Sequence, residues 1–179
     1  MTVSKRRKLI GSVLGLVLAV GLVDAANTFI VTQPIATAIG DQTTQGFKLS
    51  AHFAYYVNPV VLVLDLNAAD STQPEILFRS VLQAAQAMHE AYRPFRRVIL
   101  ARSGSAVYTL DGEYFDSLGK WYAAGQPRML TILHLPGKLR TPDGAPAYPQ
   151  YRGSSSMIFQ AQHDDAISAS RRWAEGRDK

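Results

Sequence analysis

At 179 residues the chain has the length of a single domain, and 47% hydrophobic with 18% charged residues is ordinary for a globular core. Net charge is +5, yet Lys5, Arg6, Arg7 and Lys8 supply most of it, and beyond residue 25 the chain holds 15 basic against 13 acidic residues with dispersed signs, which leaves no footprint for nucleic acid. Cysteine is absent, so disulfides, thiolate metal sites, cysteine nucleophiles and a lipidated cysteine are excluded, while an oxidising compartment stays open because a domain of this size can fold without staples.

The four basic residues precede an apolar run of 15 residues, Leu9 to Val23, closed by Asp24. A basic head, a short apolar stretch and small residues around Ala25 make residues 1–25 a secretory signal peptide cut near Ala25 or Ala26. The competing reading is a retained anchor over residues 9–23, short against the roughly 20 apolar residues a spanning helix wants. Extending that span to Val31 would bury Asp24 and Asn27 in lipid at a cost of a few kcal/mol. Either way the basic end stays in the cytoplasm. The domain is then periplasmic or secreted, or held outside the inner membrane. Arg6-Arg7 partly fits a twin-arginine signal, but a basic cluster of this kind is ordinary in the general route.

Residues 26–46 read as a linker or loosely packed segment, being polar and weakly periodic. A single domain is expected over 47–175. Phe47 to Val57 alternates, with Phe47, Leu49, Ala51, Phe53 and Tyr55 on one parity, which predicts a half-buried strand. Asn58-Pro59 signals a turn into the apolar strand Val60 to Leu66, whose near-continuous run suggests burial on both faces. Thr72 and Glu75 have capping-box spacing, with Pro74 in the first turn, and Leu77, Val81, Ala85, Met88 and Tyr92 share one helical face. Pro94 stops that helix, and Arg96 to Arg102 is the next strand, giving a β-α-β unit with a parallel crossover. Ser103-Gly104-Ser105 turns the chain into Ala106–Leu110, a hairpin. Asp111 caps a helix from about Glu113 to Ala123, with Gly125 closing it. Arg128 to Leu135 is expected as another strand, Leu139 to Ser156 as turn-rich and irregular chain, and Ile158 to Ala174 as a last helix packing through Ile158, Ala161, Ile167 and Trp173. The fold expected is α+β: a mixed sheet of four or five strands with helices mainly on one face.

The succession Asp111-Gly112, Leu118-Gly119-Lys120, Ala124-Gly125-Gln126-Pro127, Leu135-Pro136 and Pro142-Asp143-Gly144 resembles a group of small exported bacterial α+β domain proteins of uncharacterised function. The likeness covers about residues 60–155, and Tyr151-Arg152-Gly153-Ser154 stands where that group carries a Trp/Gly-rich stretch. The resemblance implies a bacterial, exported domain and no activity.

Candidate chemistry is sparse. Asp65 ends a strand as the metal-site aspartate of von Willebrand A-type domains does, but Asn67 and Ala69 stand where two hydroxyl ligands are needed, so strand-end and turn contacts account for it better. His52, His89, His134 and His163 show no metal-ligand spacing, and adjacent His163-Asp164-Asp165 point apart on a helix. The serines of Ser103-Gly104-Ser105 and Gly153-Ser154-Ser155-Ser156 lack a nucleophile elbow. Tyr55, Tyr56, Trp121, Tyr122, Tyr148 and Tyr151 could form an aromatic surface, though such residues commonly pack with wet tips. Arg93, Arg96 and Arg97 either protect a strand edge or meet an anionic lipid or polymer. The expectation is a non-enzymatic exported module that contacts a protein or an envelope component, with no catalytic, cofactor or metal residue assigned. The alternative is a hydrolase or metal-dependent enzyme with its site near Asp65.

Overall fold

The computed structural model describes residue 25 and residues 27–40, 46–70, 72–152 and 155–176. The signal or anchor expected within residues 1–25, with its twin-arginine pair, lies outside the described residues except for residue 25, and so do residues 177–179. A four-stranded mixed sheet runs in the order β1 (Phe47–Ala54), β2 (Asn58–Ala69), β3 (Arg97–Arg102), β4 (Ser105–Asp111). β1–β2 and β3–β4 are antiparallel, while β2 and β3 pair in parallel with Val61 opposite Arg97 and Leu66 opposite Arg102. Helix α2 (Pro74–Glu90) is the crossover between them, so the chain is α+β with a β-α-β unit, as the periodicity indicates. Beyond β4 an isolated bridge, Thr109 with Arg140, lays a short stretch of loop along the sheet edge.

The alternation of the strands decides which face is covered. Leu62, Leu64 and Leu66 of β2, Val98 and Leu100 of β3, and Tyr108 and Leu110 of β4 meet Leu77, Phe78, Val81, Leu82, Ala85 and Met88 of α2 in one core. Each fully buried leucine contributes about 1.5–3 kcal/mol relative to exposure. On the other face Ala54, Val63 and Ala101 make only a small cluster, with Val61 and Ile99 half-exposed at its rim. The burial of β2 on both faces holds over its middle, where Leu62 to Leu66 are all buried although the helices pack on one side only, while Val60 is exposed and Val61 half-buried.

Several local expectations change in the structure. Residues 27–40 are not a loose linker. A π-helical turn, Thr28–Thr32, runs into α1 (Gln33–Ile39), and Val31, Ile35 and Ile39, spaced four apart, are buried in the core. Three apolar residues among Thr, Gln and Pro made too faint a stripe to stand out from the sequence. Asn58 and Pro59 belong to β2, and the turn is Tyr55–Val57. α2 starts from Gln73 without a side-chain cap, so the Thr72 capping box does not form; the Thr72 carbonyl instead accepts from Ser170 of the last helix. Tyr92 lies past the end of α2 and is 90% exposed rather than on its buried face. Arg128 to Leu135 is not a strand: residues Arg128–His134 form the short helix α4, in which the Thr131 amide donates to the Pro127 carbonyl and the Leu135 amide to the Thr131 carbonyl. α5 (Ser156–Glu175) buries Ala166, Ala169, Ser170, Trp173 and Ala174, while Ile158, Ala161 and Ile167 are only half-buried.

Candidate functional site

α3 (Gly112–Ala123) is set by its first residue and by a glycine. The Asp111 carboxylate accepts from the Glu113 and Tyr114 amides at 2.9 and 3.1 Å, which fixes the helix start. Gly119 presses on α2 so closely that a Cβ there would stand 2.3 Å from the Ala85 carbonyl oxygen. His89 of α2 meets Asp116 of α3 at 2.8 Å along the same contact. With that side committed, α3 turns Tyr114 and Trp121 the other way, edge to face with centroids 6.0 Å apart.

α4, the 3-10 turn Pro136–Lys138 and the loop through Tyr151 curl around those rings, and α5 adds Gln162 and Asp165. The result is a half-open cleft of about 490 Å³. Trp121, Tyr114 and Tyr151 form aromatic wall; Gln126, Gln150 and Gln162 bring amides; His134, Lys138 and Asp165 bring titratable groups. The Lys138 ammonium lies 5.8 Å from the Tyr114 centroid. Burial pushes the Tyr114 hydroxyl up to about 12, so it stays a neutral donor. Burial also raises the Asp165 carboxyl above its ordinary 3.8, the Asp164 charge adds to that, and a hydrogen bond with the Tyr151 hydroxyl opposes it. Asp165 Oδ2 is buried and has no hydrogen-bond partner among the described residues. Such an atom costs free energy until a donor reaches it.

The residues that looked most chemical in the sequence do not assemble. Asp65 Oδ2 accepts the Gly104 amide at 2.9 Å and so holds the β3–β4 turn, where Ser103 and Gly104 both have positive φ. Ser50 and Asn67 both donate to the Asp65 carbonyl. Asp65 Oδ1 is buried without a partner, but Asp65 does not line the cleft. Arg102 turns instead to the Leu66 and Ala174 carbonyls. His52 stacks on Tyr56 at 4.6 Å, His163 lies 3.8 Å from Asp164 on an exposed helix face, and only His134 lines the cleft. Among the described residues no group of three or more His, Asp or Glu stands where a metal ion could be held. Trp121 and Tyr151 were visible beforehand as members of an aromatic set, but their convergence with Tyr114 and Asp165 was not. The one local hint is that Gln162 and Asp165 stand three apart and thus share a face of α5. No protein-family model matches this chain, and neither does any curated protein or solved structure.

Proposed function

We propose that the chain is an exported, non-enzymatic recognition module whose cleft takes a polar component of the cell envelope. The observation that carries this reading is Asp165: a half-buried carboxyl with an unpartnered oxygen, lining an aromatic-walled cavity. A ligand hydroxyl or amide N–H would satisfy it, while a flat ligand face would lie on Trp121, which is 40% exposed. The three glutamine amides suit a ligand rich in hydroxyls or amides, such as a glycan or glycopeptide. Hydrolysis of a glycan normally takes two flanking carboxylates, and Asp165 is the only carboxylate among the residues lining the cleft. That favours binding over cleavage.

Residues 1–25 as a cleaved signal, or residues 9–23 as a retained anchor, would place the module outside the cytoplasm. Titration calorimetry of the full chain with soluble peptidoglycan fragments, and in parallel with envelope-derived peptides lacking sugar, tests the module. Saturable binding of the fragments, weakened at least tenfold by Trp121→Ala and by Asp165→Asn, is expected. Binding indifferent to both substitutions, or release of cleaved product, overturns the proposal, and binding of the peptides alone replaces the glycan with a protein partner.

A further inference from the structure

At the end of the sheet where β2 begins, the surface is unlike the rest. Tyr55 and Tyr92 are 88% and 90% exposed, and both have φ of 52°, a left-handed backbone that bulky residues rarely adopt. Val57 and Val60 are 66% and 48% exposed beside them. Tyr56, Val57, Tyr92 and Arg93 line one groove of about 330 Å³, so the turn after β1 and the end of α2 form a single surface. Arg93, Arg96 and Arg97 are exposed at the same end, and none makes an ion pair among the described residues. Of the carboxylates nearby, Glu90 accepts from Gln86 and Asp111 is held by the amides of α3, while Glu113 stays exposed.

The same end receives the chain from the N-terminus. Asn27 is 2% exposed; it accepts from the Phe53 amide at 2.7 Å and donates to the Tyr56 carbonyl at 2.7 Å. It is therefore pinned to the turn that displays Tyr55. Only Asp24, Ala25 and Ala26 separate it from the apolar run ending at Val23. Four Cα steps span at most roughly 14 Å. If Leu9–Val23 stays in the bilayer, the Tyr55–Val57 turn has no length of chain with which to leave the membrane surface.

We propose that this end of the domain lies against a phospholipid surface, with Tyr55 and Tyr92 in the interfacial layer and the arginines at the lipid phosphates; the proposal rests on the retained-anchor reading. Tyrosine is favoured at that depth because its ring is apolar and its hydroxyl wet. Arginine reaches phosphate while its stem covers apolar surface. The exposed tyrosines then have a use that their strained backbone does not otherwise serve.

The chain has no cysteine, so one introduced thiol takes a fluorophore uniquely. Full-length Ala91→Cys places it beside Tyr92, and Ser105→Cys places it at the far end of β3–β4, roughly 20 Å away along the strands. Both proteins are reconstituted in phosphatidylcholine–phosphatidylglycerol vesicles carrying acyl-chain quencher, after a carbonate wash that reports retention. Expected is quenching several-fold stronger for Ala91→Cys than for Ser105→Cys, and lost when Tyr55→Asn and Tyr92→Asn are added. Asparagine tolerates positive φ, so those changes do not weaken the fold. Loss of the chain in the carbonate wash overturns the anchor reading and the proposal with it. Retention with equal quenching of the two probes, or quenching unchanged by the asparagine pair, overturns the membrane-facing surface alone.

Discussion

Asp165 and the left-handed tyrosines share a feature that single residues rarely keep without a use: each holds the folded chain in a state it would leave if it could. For Asp165 the consequence can be read against pH. Its folded pKa is raised above 3.8 by burial and by Asp164, so the folded state holds the proton more tightly than the unfolded one. Stability from this group is complete below the unfolded value and declines as pH rises through the folded one. Asp165→Asn is therefore expected to raise the urea midpoint at neutral pH and to leave it nearly unchanged near pH 3, where both side chains are neutral. A midpoint difference that is the same at both pH values would show that burial of the charge is not the cause. Asp65 is the contrary case. It ends an apolar strand, yet one oxygen of its carboxylate, Oδ2, accepts the Gly104 amide and serves a turn.

Among the elements, the edge of the sheet is closed in a way no strand pattern discloses. β1 exposes backbone groups on its free side, and an open edge invites pairing with another chain. Asn27 and Thr32 cover it with side chains, bonding the Phe53 amide, the Tyr56 carbonyl and the Ala51 carbonyl. Asn27→Ala would leave a buried amide and a carbonyl without partners, at about 1–3 kcal/mol. Faster amide exchange at Phe53 with a lower thermal midpoint is expected; unchanged exchange there would place the closure elsewhere. Asp111 shows the opposite degree of legibility. Its cap depends on residues two and three positions away, so a local reading of Asp111-Gly112-Glu113 placed α3 correctly. The seven residues of α4 carry too little periodicity to separate a helix from a strand locally, and the packing of Ile132, Leu133 and the following Leu135 into the core settles it.

For the molecule as a whole, α5 is the brace between the sheet and α2. Trp173 is fully buried, stacks on Phe78 with centroids 6.4 Å apart, and donates its indole N–H to the Ala101 carbonyl at 2.8 Å. Ser170 reaches the Thr72 carbonyl before α2, and Arg102 reaches back to the Ala174 carbonyl. Trp173→Ala removes a buried aromatic and is expected to cost about 3–5 kcal/mol. That is a large share of the ~5–15 kcal/mol typical of a domain. Denaturation should show it as a lower urea midpoint for the sheet and helix signals together. Independent loss of α5, with the sheet unmoved, would refute the bracing role.

By itself the sequence determined the β-α-β unit, the hairpin after β3, the capped α3 and the α+β class, because each of these is written in residues close along the chain: alternation, a four-residue stripe, a cap, a turn. It also carried the basic and apolar N-terminal run. Only the tertiary structure decided that residues 27–40 belong to the core, that one face of the sheet stays half-open, and that Tyr114, Trp121, Tyr151 and Asp165 share a cleft. Those four residues come from α3, α5 and the loop between them, and nothing local to any one of them encodes the others. Their meeting depends on how closely α3 can approach α2 at Gly119 and on where Trp173 seats α5, and both are properties of packing across the whole chain.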